Sequence, residues 1–425
     1  MNSEIYSTYI EILESELKPA MGCTEPIAIA LASAKCREIL GKLPQKITAT
    51  CSGNIIKNVK AVLVPNSNGQ KGVEAAAVLG AVAGDSSLGL EVISKASKED
   101  AELTKKLVNE GICNVKLKEG VDNLYIEIEQ IADNDRAVVE VISKHDNITY
   151  IEKNGDIIFK GENILKKENS KKELLNLDEI YEFANTVKID DIKTIIKRQI
   201  DYNTAISKEG MTHDWGECVG KTTMEIGDNS VRTKAIAMAA AGSDARMNGC
   251  ALPVVINSGS GNQGMTCTLP IVVYAKELGV SEEKLMRALV FTNLIAIHQK
   301  RYIGDLSAYC GAVSAGAAAG CGIAYLYDEP FEIIKNTLTN TLATTSGIVC
   351  DGAKSSCASK IATSVNASIL AYEMAKRGRH FRPGEGIVAN EAEETVQNVG
   401  HVAKEGMRET DIEILHLMNN NIPKA

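Results

Sequence analysis

The spacing of apolar residues changes in character along this 425-residue chain. Residues 1–20 are amphipathic with a helical period, and a helix that is apolar on nearly all sides is predicted from Thr24 to a stop signal at Gly41. Between residues 113 and 160, apolar and polar residues alternate in short runs separated by Asp, Asn and Gly. Asn154-Gly155 is the clearest hairpin signal, so this region is predicted to be an antiparallel sheet with one face exposed to solvent.

Two segments before the sheet have mixed patterns. Residues 47–65 contain two β-like runs around Ser52-Gly53-Asn54, which predict a strand, a bend and a second strand. Residues 72–97 are rich in small residues and are interrupted at 84–87, which predicts two helices with a break between them.

The pattern becomes almost entirely helical after residue 178. Residues 161–178 are rich in Lys, Glu and Asn, which is typical of a boundary. The sequence therefore predicts an α+β protein of two domains. The first, residues 1–175, is an N-terminal α/β part that contains the antiparallel sheet; the second, residues 176–425, is a mostly helical catalytic domain.

Composition narrows the class of protein. The net charge is −9 and no face rich in Lys and Arg is visible, which argues against binding to nucleic acid. The acidic amphipathic N-terminus is unlike a signal peptide, and no apolar run is long and uniform enough for a membrane span, so a cytoplasmic protein is expected. In that compartment the 11 cysteines are expected to be buried thiols, metal ligands or nucleophiles rather than disulfides.

Three cysteines stand where loops meet predicted helices. Cys310 precedes a Gly/Ala-rich helix, Cys350 lies in a loop between two glycines, and Cys357 starts a helical run after two serines that are natural N-caps. Three thiolates cannot complete a closed zinc site, and the chain has no C-x2-C motif. They could instead hold three irons of a [4Fe–4S] cluster, which leaves one iron without a protein ligand.

Cys23 is a separate candidate for chemistry because it precedes the N-terminus of an apolar helix. That setting is expected to lower the pKa of a thiol and make it a base or a nucleophile, although a buried thiol in a tight turn is the alternative. Glu25, in the first helical turn, is either a second reactive group or a partner of the helix dipole. Asn54 and Lys57 are polar residues at the predicted bend and are candidates to contact a ligand.

Two glycine-rich motifs resemble nucleotide sites. GECVGKT lacks the first glycine of a phosphate loop, and GSGNQG is followed by Pro270 within two turns and by no second strand that ends in an acidic residue, so neither is expected to bind a nucleotide. The second turn could still hold a small anion such as a carboxylate, with a structural turn as the alternative. His213, beside Asp214, is either a proton carrier or a structural histidine. The residues of the second turn are Ser258, Gly259, Ser260, Gly261, Asn262, Gln263 and Gly264.

Six stretches together resemble the L-cysteine desulfidase family, within the superfamily of iron–sulfur L-serine dehydratases. They are GCTEPIAIALA, SGNIIKNVKAVLVPN, MTHDWGECVGKTT, NSGSGNQGMTCTLPIV, YCGAVSAGAAAGCGIAY and GIVCDGAKSSCASKIATSV. The resemblance covers nearly the whole chain. It implies that the helical domain carries an iron–sulfur cluster on Cys310, Cys350 and Cys357, that Cys23 is the reactive thiol, and that residues 258–264 form the substrate-binding loop. Other residues inside the shared motifs, expected near the substrate without an assigned role, are Glu25, Asn54, Lys57, His213 and Lys354.

The expected reaction is α,β-elimination of L-cysteine to sulfide, pyruvate and ammonia, without pyridoxal phosphate. The open iron of an oxygen-sensitive [4Fe–4S] cluster would bind the substrate sulfur, and Cys23 would take the α-proton. An L-serine dehydratase is the nearest alternative, but such enzymes are expected to carry a further cysteine near the C-terminus, and none follows Cys357. A non-catalytic iron–sulfur redox sensor is another alternative. The Gly/Ala-rich helices could pack against a second subunit, which would give a homodimer.

Overall fold

The computed structural model of the chain describes residues 1–161, 170–304 and 306–418. Its architecture is α+β, as predicted. The described α-helices are Ser3–Glu16 (α1), Thr24–Leu40 (α2), Gly53–Val59 (α3), Gly72–Ala83 (α4), Lys98–Asn109 (α5), Leu177–Thr186 (α6), Ile189–Thr212 (α7), Val219–Ile226 (α8), Val231–Met247 (α9), Gly261–Leu278 (α10), Glu282–Ile303 (α11), Gly311–Leu326 (α12), Phe331–Thr345 (α13), Cys357–Lys376 (α14), Ala392–His401 (α15) and Arg408–Met418 (α16). The described strands are Pro19–Met21 (β1), Lys46–Cys51 (β2), Cys113–Leu117 (β3), Tyr125–Ala132 (β4), Asp135–Ile142 (β5), Ile148–Lys153 (β6), Asp156–Lys160 (β7) and Pro253–Val255 (β8).

Strands β2 to β7 form one sheet in the order β3-β2-β4-β5-β6-β7. Strands β4 to β7 make the predicted antiparallel meander, and Asn154 and Gly155 form its last hairpin with φ of 54° and 95°. Strand β3 differs from the expectation because it runs parallel to β2, after a connection through α3, α4 and α5. Helix α2 packs on β4 and β5 and against α4, which explains why it is apolar on nearly all sides.

The predictions for residues 47–65 and 72–97 are partly wrong. The second predicted strand is helix α3, whose N-terminus is capped by Ser52 Oγ accepting from Ile55 N at 3.4 Å. The β-branched residues of this segment favour a strand, but the Ser52 cap and the burial of one face stabilise a helix instead. After α4, the second predicted helix is a 3₁₀ segment, Ser86–Glu91, because Gly89 has a left-handed φ of 55° that interrupts it.

Helix α12 lies at the centre of the helical part and packs against α10, α11, α13 and α14. Its small residues permit close approach, since a Cβ on Gly316 would lie 2.7 Å from Ser364 Cβ on α14. Helix α10 continues through Pro270, contrary to the predicted break. The proline leaves one backbone hydrogen bond unmade, and the burial of α10 on its neighbours outweighs that loss.

Residues from both predicted domains meet in one hydrophobic core. Strand β1 pairs antiparallel with β8, which joins the start of the chain to the segment before α10. The predicted boundary overlaps residues 162–169, which lie outside the described part, and the division at residue 175 stays a prediction. Among the helices of the described ranges, none combines the length and the apolar character needed to cross a bilayer.

We expect Gly80→Ala to destabilise the protein. A Cβ on Gly80 would lie 2.7 Å from Ala30 Cα, where α4 crosses α2 backbone to backbone. Overpacking of this kind costs about 1–3 kcal/mol, which exceeds the roughly 1 kcal/mol that alanine gains over glycine in a helix. A lower urea midpoint with an unchanged slope would verify the contact.

Gly347→Ala is the control because a Cβ at Gly347 would meet no atom within 4 Å. Its free energy of unfolding should stay within about 0.5 kcal/mol of that of the wild-type protein. Equal behaviour of the two variants would contradict the close crossing of α2 and α4.

Candidate active site

Four helices direct their N-termini at a single cavity. Cys23 precedes α2, Ser260 precedes α10, Cys310 precedes α12, and Cys357 is the first residue of α14. All four residues line the cavity. Because a helix N-terminus carries partial positive charge and unpaired N–H groups, this arrangement favours anionic groups inside the cavity.

One wall of the cavity contains the three predicted cluster ligands, Cys310, Cys350 and Cys357. Cys310 N–H donates to Ile348 O at 3.1 Å and Cys350 N–H donates to Ala308 O at 2.6 Å, so a short antiparallel bridge brings the two cysteine-bearing segments together. Cys357 faces the same cavity from the first turn of α14. Thiols separated by 40 and 7 positions in the sequence therefore share one site.

The two serines before Cys357 do not cap α14, contrary to the expectation. Ser356 already has helical backbone angles, φ −65° and ψ −7°, and its side chain makes no cap hydrogen bond. Ser355 Oγ instead donates to Asn248 Oδ1 at 3.0 Å, which ties the cysteine-bearing loop to the end of α9.

The protonation of these thiols indicates what they can bind. Burial, followed by the charges of Cys350 and Cys357, raises the pKa of Cys310 to about 12. Burial likewise raises the pKa of Cys357, against the opposing charges of Lys354 and Lys360. Thiolates at this site need added positive charge, which a bound metal centre provides.

The donor set fits a cluster better than a single ion. Among the described residues, no three His, Cys, Asp or Glu side chains are grouped closely enough to hold one metal ion. An iron–sulfur cluster takes each thiolate on a different iron, so its ligands are spread around a cavity. Cys310, Cys350 and Cys357 satisfy that requirement in residue type and in placement.

Cys23 and Glu25 form a buried pair that lines the same cavity. Cys23 is 3% exposed, and its Sγ–H donates to Glu25 Oε2 at 2.9 Å. Asn58 Nδ2 donates to Glu25 Oε1 at 3.0 Å, so both carboxylate oxygens are engaged. Thr24 Oγ1 donates to Gly259 O at 2.7 Å, which fixes the first turn of α2 against the glycine-rich loop.

The sequence-based expectation of a lowered Cys23 pKa is wrong for this arrangement. Burial, together with the negative charge of Glu25, raises the pKa of Cys23 well above its ordinary value, although Arg246 acts in the opposite direction. Burial also works against the Glu25 carboxylate, but His145, the hydrogen bond from Cys23 and Arg246 together hold its pKa below the usual value. The negative charge of the pair therefore resides on Glu25, and the proton resides on sulfur.

The glycine-rich loop reaches the cavity through its second half. Ser260, Asn262 and Gln263 line the cavity, while Ser258 and Gly259 line an adjoining cavity that also contains Glu25, Ser260 and Gln263. Gly261 and Gly264 allow close packing, since a Cβ would meet Arg246 Cζ at 2.8 Å in the first case and the Val255 carbonyl in the second. Within the described chain, β8 pairs with β1 alone and antiparallel, so the loop lacks the parallel sheet of a dinucleotide site.

The other predicted site residues have different surroundings. Lys57 is buried and forms an ion pair with Asp411 of α16, and Asn54 lines a separate wide cleft. Lys354 pairs with Asp351 beside the loop of Cys350. His213 lies on the surface, with its side chain 63% exposed and its Nδ1 2.9 Å from Glu209 Oε1. The structure thus brings together Cys23, Glu25, the glycine-rich loop and the three cysteines. Lys354 lies close enough for its charge to act on Cys357, whereas Asn54, Lys57 and His213 lie outside the cavity wall.

The cavity wall also contains residues that the sequence analysis did not single out, among them Asn58, Arg246 and Lys300. Arg246 is 2% exposed. The sequence signal for Arg246 was its position as the single cation of the Ala-rich segment AIAMAAAGSDARMNG. Asn58 and Lys300 had no comparable signal, because burial of a polar residue depends on distant segments.

The fold and the cavity define an α+β protein with a cysteine-lined site suited to an iron–sulfur centre. The family model described as "Serine dehydratase alpha chain" matches residues 87–416. A protein of Finegoldia magna is 53% identical over 412 residues, covering 96% of this chain and 99% of its own, and one of Lachnoclostridium phytofermentans is 50% identical over 418 residues, covering 98% and 100%. Both are named "UPF0597 protein". This chain belongs to the serine dehydratase alpha chain family, whose members depend on iron–sulfur centres, which confirms the resemblance at the level of the superfamily.

Replacing any of the three cysteines by serine should remove the cluster. Cys310→Ser, Cys350→Ser and Cys357→Ser each take away one thiolate, and serine is a poor iron ligand in comparison. We expect iron and acid-labile sulfide to fall to background in anaerobically reconstituted protein. Cys321→Ser is the matched control, because Cys321 lies on α12 and is buried against the Ile334 carbonyl. Full iron content in all three variants would exclude this ligand set.

Glu25→Gln should make Cys23 more reactive in cluster-free protein. Removing the carboxylate charge removes a cause of the raised Cys23 pKa, so more thiolate is present near pH 8. Alkylation of the Cys23 peptide by iodoacetamide, followed by mass spectrometry, should therefore be faster in Glu25→Gln than in the wild-type protein. Glu38→Gln, which removes a half-exposed carboxylate of the same helix, should leave the rate unchanged. A slower reaction in Glu25→Gln would disprove the charge assignment.

Proposed function

We propose that this protein is an L-cysteine desulfidase, a carbon–sulfur lyase that converts L-cysteine to sulfide, pyruvate and ammonia. The observation that carries the proposal is the single cavity lined by Cys23, Glu25, the glycine-rich loop and the three cysteines. Membership of an iron–sulfur dehydratase family supports elimination chemistry in general. The preference for sulfur over oxygen as the leaving atom is the proposed step beyond the family.

Cys310, Cys350 and Cys357 are the proposed ligands of a [4Fe–4S] cluster. When bound, such a cluster supplies an iron without a protein ligand, which acts as a Lewis acid toward the sulfur of the substrate. The positive ends of α12 and α14 help to balance the charge of the thiolates. The charge of Lys360 acts in the same direction on Cys310 and Cys357.

In the proposed reaction, Cys23 and Glu25 together remove the α-proton of the substrate. The α-proton of an amino acid is weakly acidic, so a base must be held against it in a site that excludes water. The Cys23 thiol already donates to the Glu25 carboxylate, and transfer of that proton to Glu25 leaves a thiolate that can take the α-proton. Asn58 holds the other carboxylate oxygen, which keeps Glu25 oriented toward the sulfur. The enamine product then hydrolyses to pyruvate and ammonia, and the scheme requires no pyridoxal phosphate.

An L-serine dehydratase is the second candidate function. The match to the family model "Serine dehydratase alpha chain" favours it, because the same cavity could act on a hydroxyl group in place of a thiol. The two candidates differ only in the substrate atom that leaves.

Turnover of L-cysteine and of L-serine by anaerobically reconstituted protein decides between them. We expect sulfide and pyruvate in equal amounts from L-cysteine, with kcat/KM at least ~10-fold above that for L-serine, since the leaving atom is the point of recognition. Pyruvate release that is faster from L-serine would identify a dehydratase. Absence of turnover of both substrates by cluster-loaded protein would refute both candidates.

Cys23→Ala and Cys36→Ala provide the internal controls of this assay. Both remove a buried thiol associated with α2, but Cys36 is bonded to the Ala137 carbonyl, away from the cavity. Cys23→Ala should retain its iron and lose about 10²–10⁴-fold in kcat, and Cys36→Ala should remain active. Full activity in Cys23→Ala would assign the base to another residue.

A further inference from the structure

Arg246 is a buried cation without a carboxylate partner. Its side chain lines the cavity and is 2% exposed. Among the residues that the structure describes, it makes one hydrogen bond, from Nε to Gly22 O at 2.8 Å, and no ion pair. A guanidinium removed from water is costly unless an anion balances it. The cavity is therefore expected to receive an anionic group at this point.

Glu25, the carboxylate that shares the cavity wall, does not fill this role. Arg246 acts through space to lower the pKa of Glu25, but the two side chains form no ion pair. The oxygens of Glu25 accept hydrogen bonds from Cys23 and Asn58 instead. The Nη atoms of Arg246, which form the planar fork suited to a carboxylate, have no hydrogen-bond partner among the described residues.

The guanidinium lies directly against the N-terminus of α10. A Cβ on Gly261, the first residue of that 18-residue helix, would lie 2.8 Å from Arg246 Cζ, so the contact exists only because Gly261 lacks a side chain. Gln263, 5% exposed, lines the cavity from the same turn, and its Oε1 atom has no hydrogen-bond partner in the described chain. A buried fork and a helix N-terminus thus face one space.

We propose that Arg246 and the N-terminus of α10 form a carboxylate-binding site that holds the α-carboxylate of the amino-acid substrate. This inference rests on the proposed function for the identity of the substrate, but the site itself requires only a small carboxylate. A carboxylate matches the guanidinium fork with two parallel hydrogen bonds, which fixes its orientation as well as its position.

The location of this site suits proton removal at Cα. Arg246 bonds to the carbonyl of Gly22, the residue before Cys23, so the carboxylate site and the proposed base are adjacent. Neutralising the carboxylate also favours the loss of a proton from the neighbouring carbon, because negative charge develops there in the transition state. Arg246 would therefore select α-carboxylated substrates and help to activate them.

Two thiol probes separate carboxylate recognition from sulfur recognition. 3-Mercaptopropionate has a thiol and a carboxylate, whereas 2-mercaptoethylamine has a thiol and no carboxylate. Binding of each to cluster-loaded protein is measured by anaerobic calorimetry. In Arg246→Gln, affinity for 3-mercaptopropionate should fall by about 10–100-fold, the range of one charged hydrogen-bonded contact, and affinity for 2-mercaptoethylamine should change by less than about twofold. Arg246→Lys should give an intermediate loss.

Arg37→Gln is the matched control, because Arg37 is half-buried and, like Arg246, bonds one backbone carbonyl, Gly84 O at 2.7 Å. It should bind both probes as the wild-type protein does. Unchanged affinity of Arg246→Gln for 3-mercaptopropionate, or an equal loss for both probes, overturns the inference. If Arg246→Gln does not fold, Arg246→Lys decides by the same criterion.

The result is independent of the assay for sulfide release. Loss of carboxylate affinity in Arg246→Gln, in a protein that does not act on L-cysteine, would retain this site and reject the proposed function. Turnover of L-cysteine with an unchanged KM and kcat in Arg246→Gln would do the reverse.

Discussion

The electrostatics of one buried cavity govern this structure. Thiols, a carboxylate and an arginine are gathered where solvent is largely excluded, and each of these charges would be costly if it stood alone. The N-termini of α2, α10, α12 and α14 offset part of that cost, since each supplies partial positive charge and unpaired N–H groups. The proposed metal centre and anionic substrate would complete this charge balance.

Small residues make this convergence sterically feasible. Helix α12 can approach α14 because Gly316 leaves room for Ser364, and α10 can begin beside β8 because Gly264 lies against the Val255 carbonyl. Gly261 admits the guanidinium of Arg246 in the same way. A larger side chain at any of these positions would displace a helix N-terminus from the cavity, so packing and charge placement are coupled.

The Cys23–Glu25 pair illustrates how burial changes the role of a residue. At an exposed helix N-terminus the thiol would ionise more readily than usual, but here burial and the adjacent carboxylate keep the proton on sulfur. The hydrogen bond to Glu25 nevertheless provides a defined route for that proton. In the proposed reaction the thiolate would form by this proton transfer, so that no permanent charge on sulfur has to be buried.

The sequence by itself determined the features that depend on neighbouring residues. The alternating pattern of residues 113–160 and the Asn154-Gly155 turn identified the sheet, although its first strand, β3, pairs parallel to β2. The positions of Cys23, Cys310 and Cys357 at helix starts were readable from the glycines, prolines and apolar runs around them. Resemblance to a known family then singled out the cysteines and the glycine-rich loop.

Only the tertiary structure decided the features that depend on distant segments. Residues 53–59 form helix α3, where a strand was predicted. Lys57 forms a buried ion pair with Asp411, which lies more than 350 positions later in the chain. Burial raises the pKa of Cys23, whereas its position before a helix predicted a lowered one. The packing of α9 against α10 places Arg246 beside the glycine-rich loop. Local patterns encode caps, turns and periodicity, whereas burial and charge pairing arise only when separate parts of the chain meet.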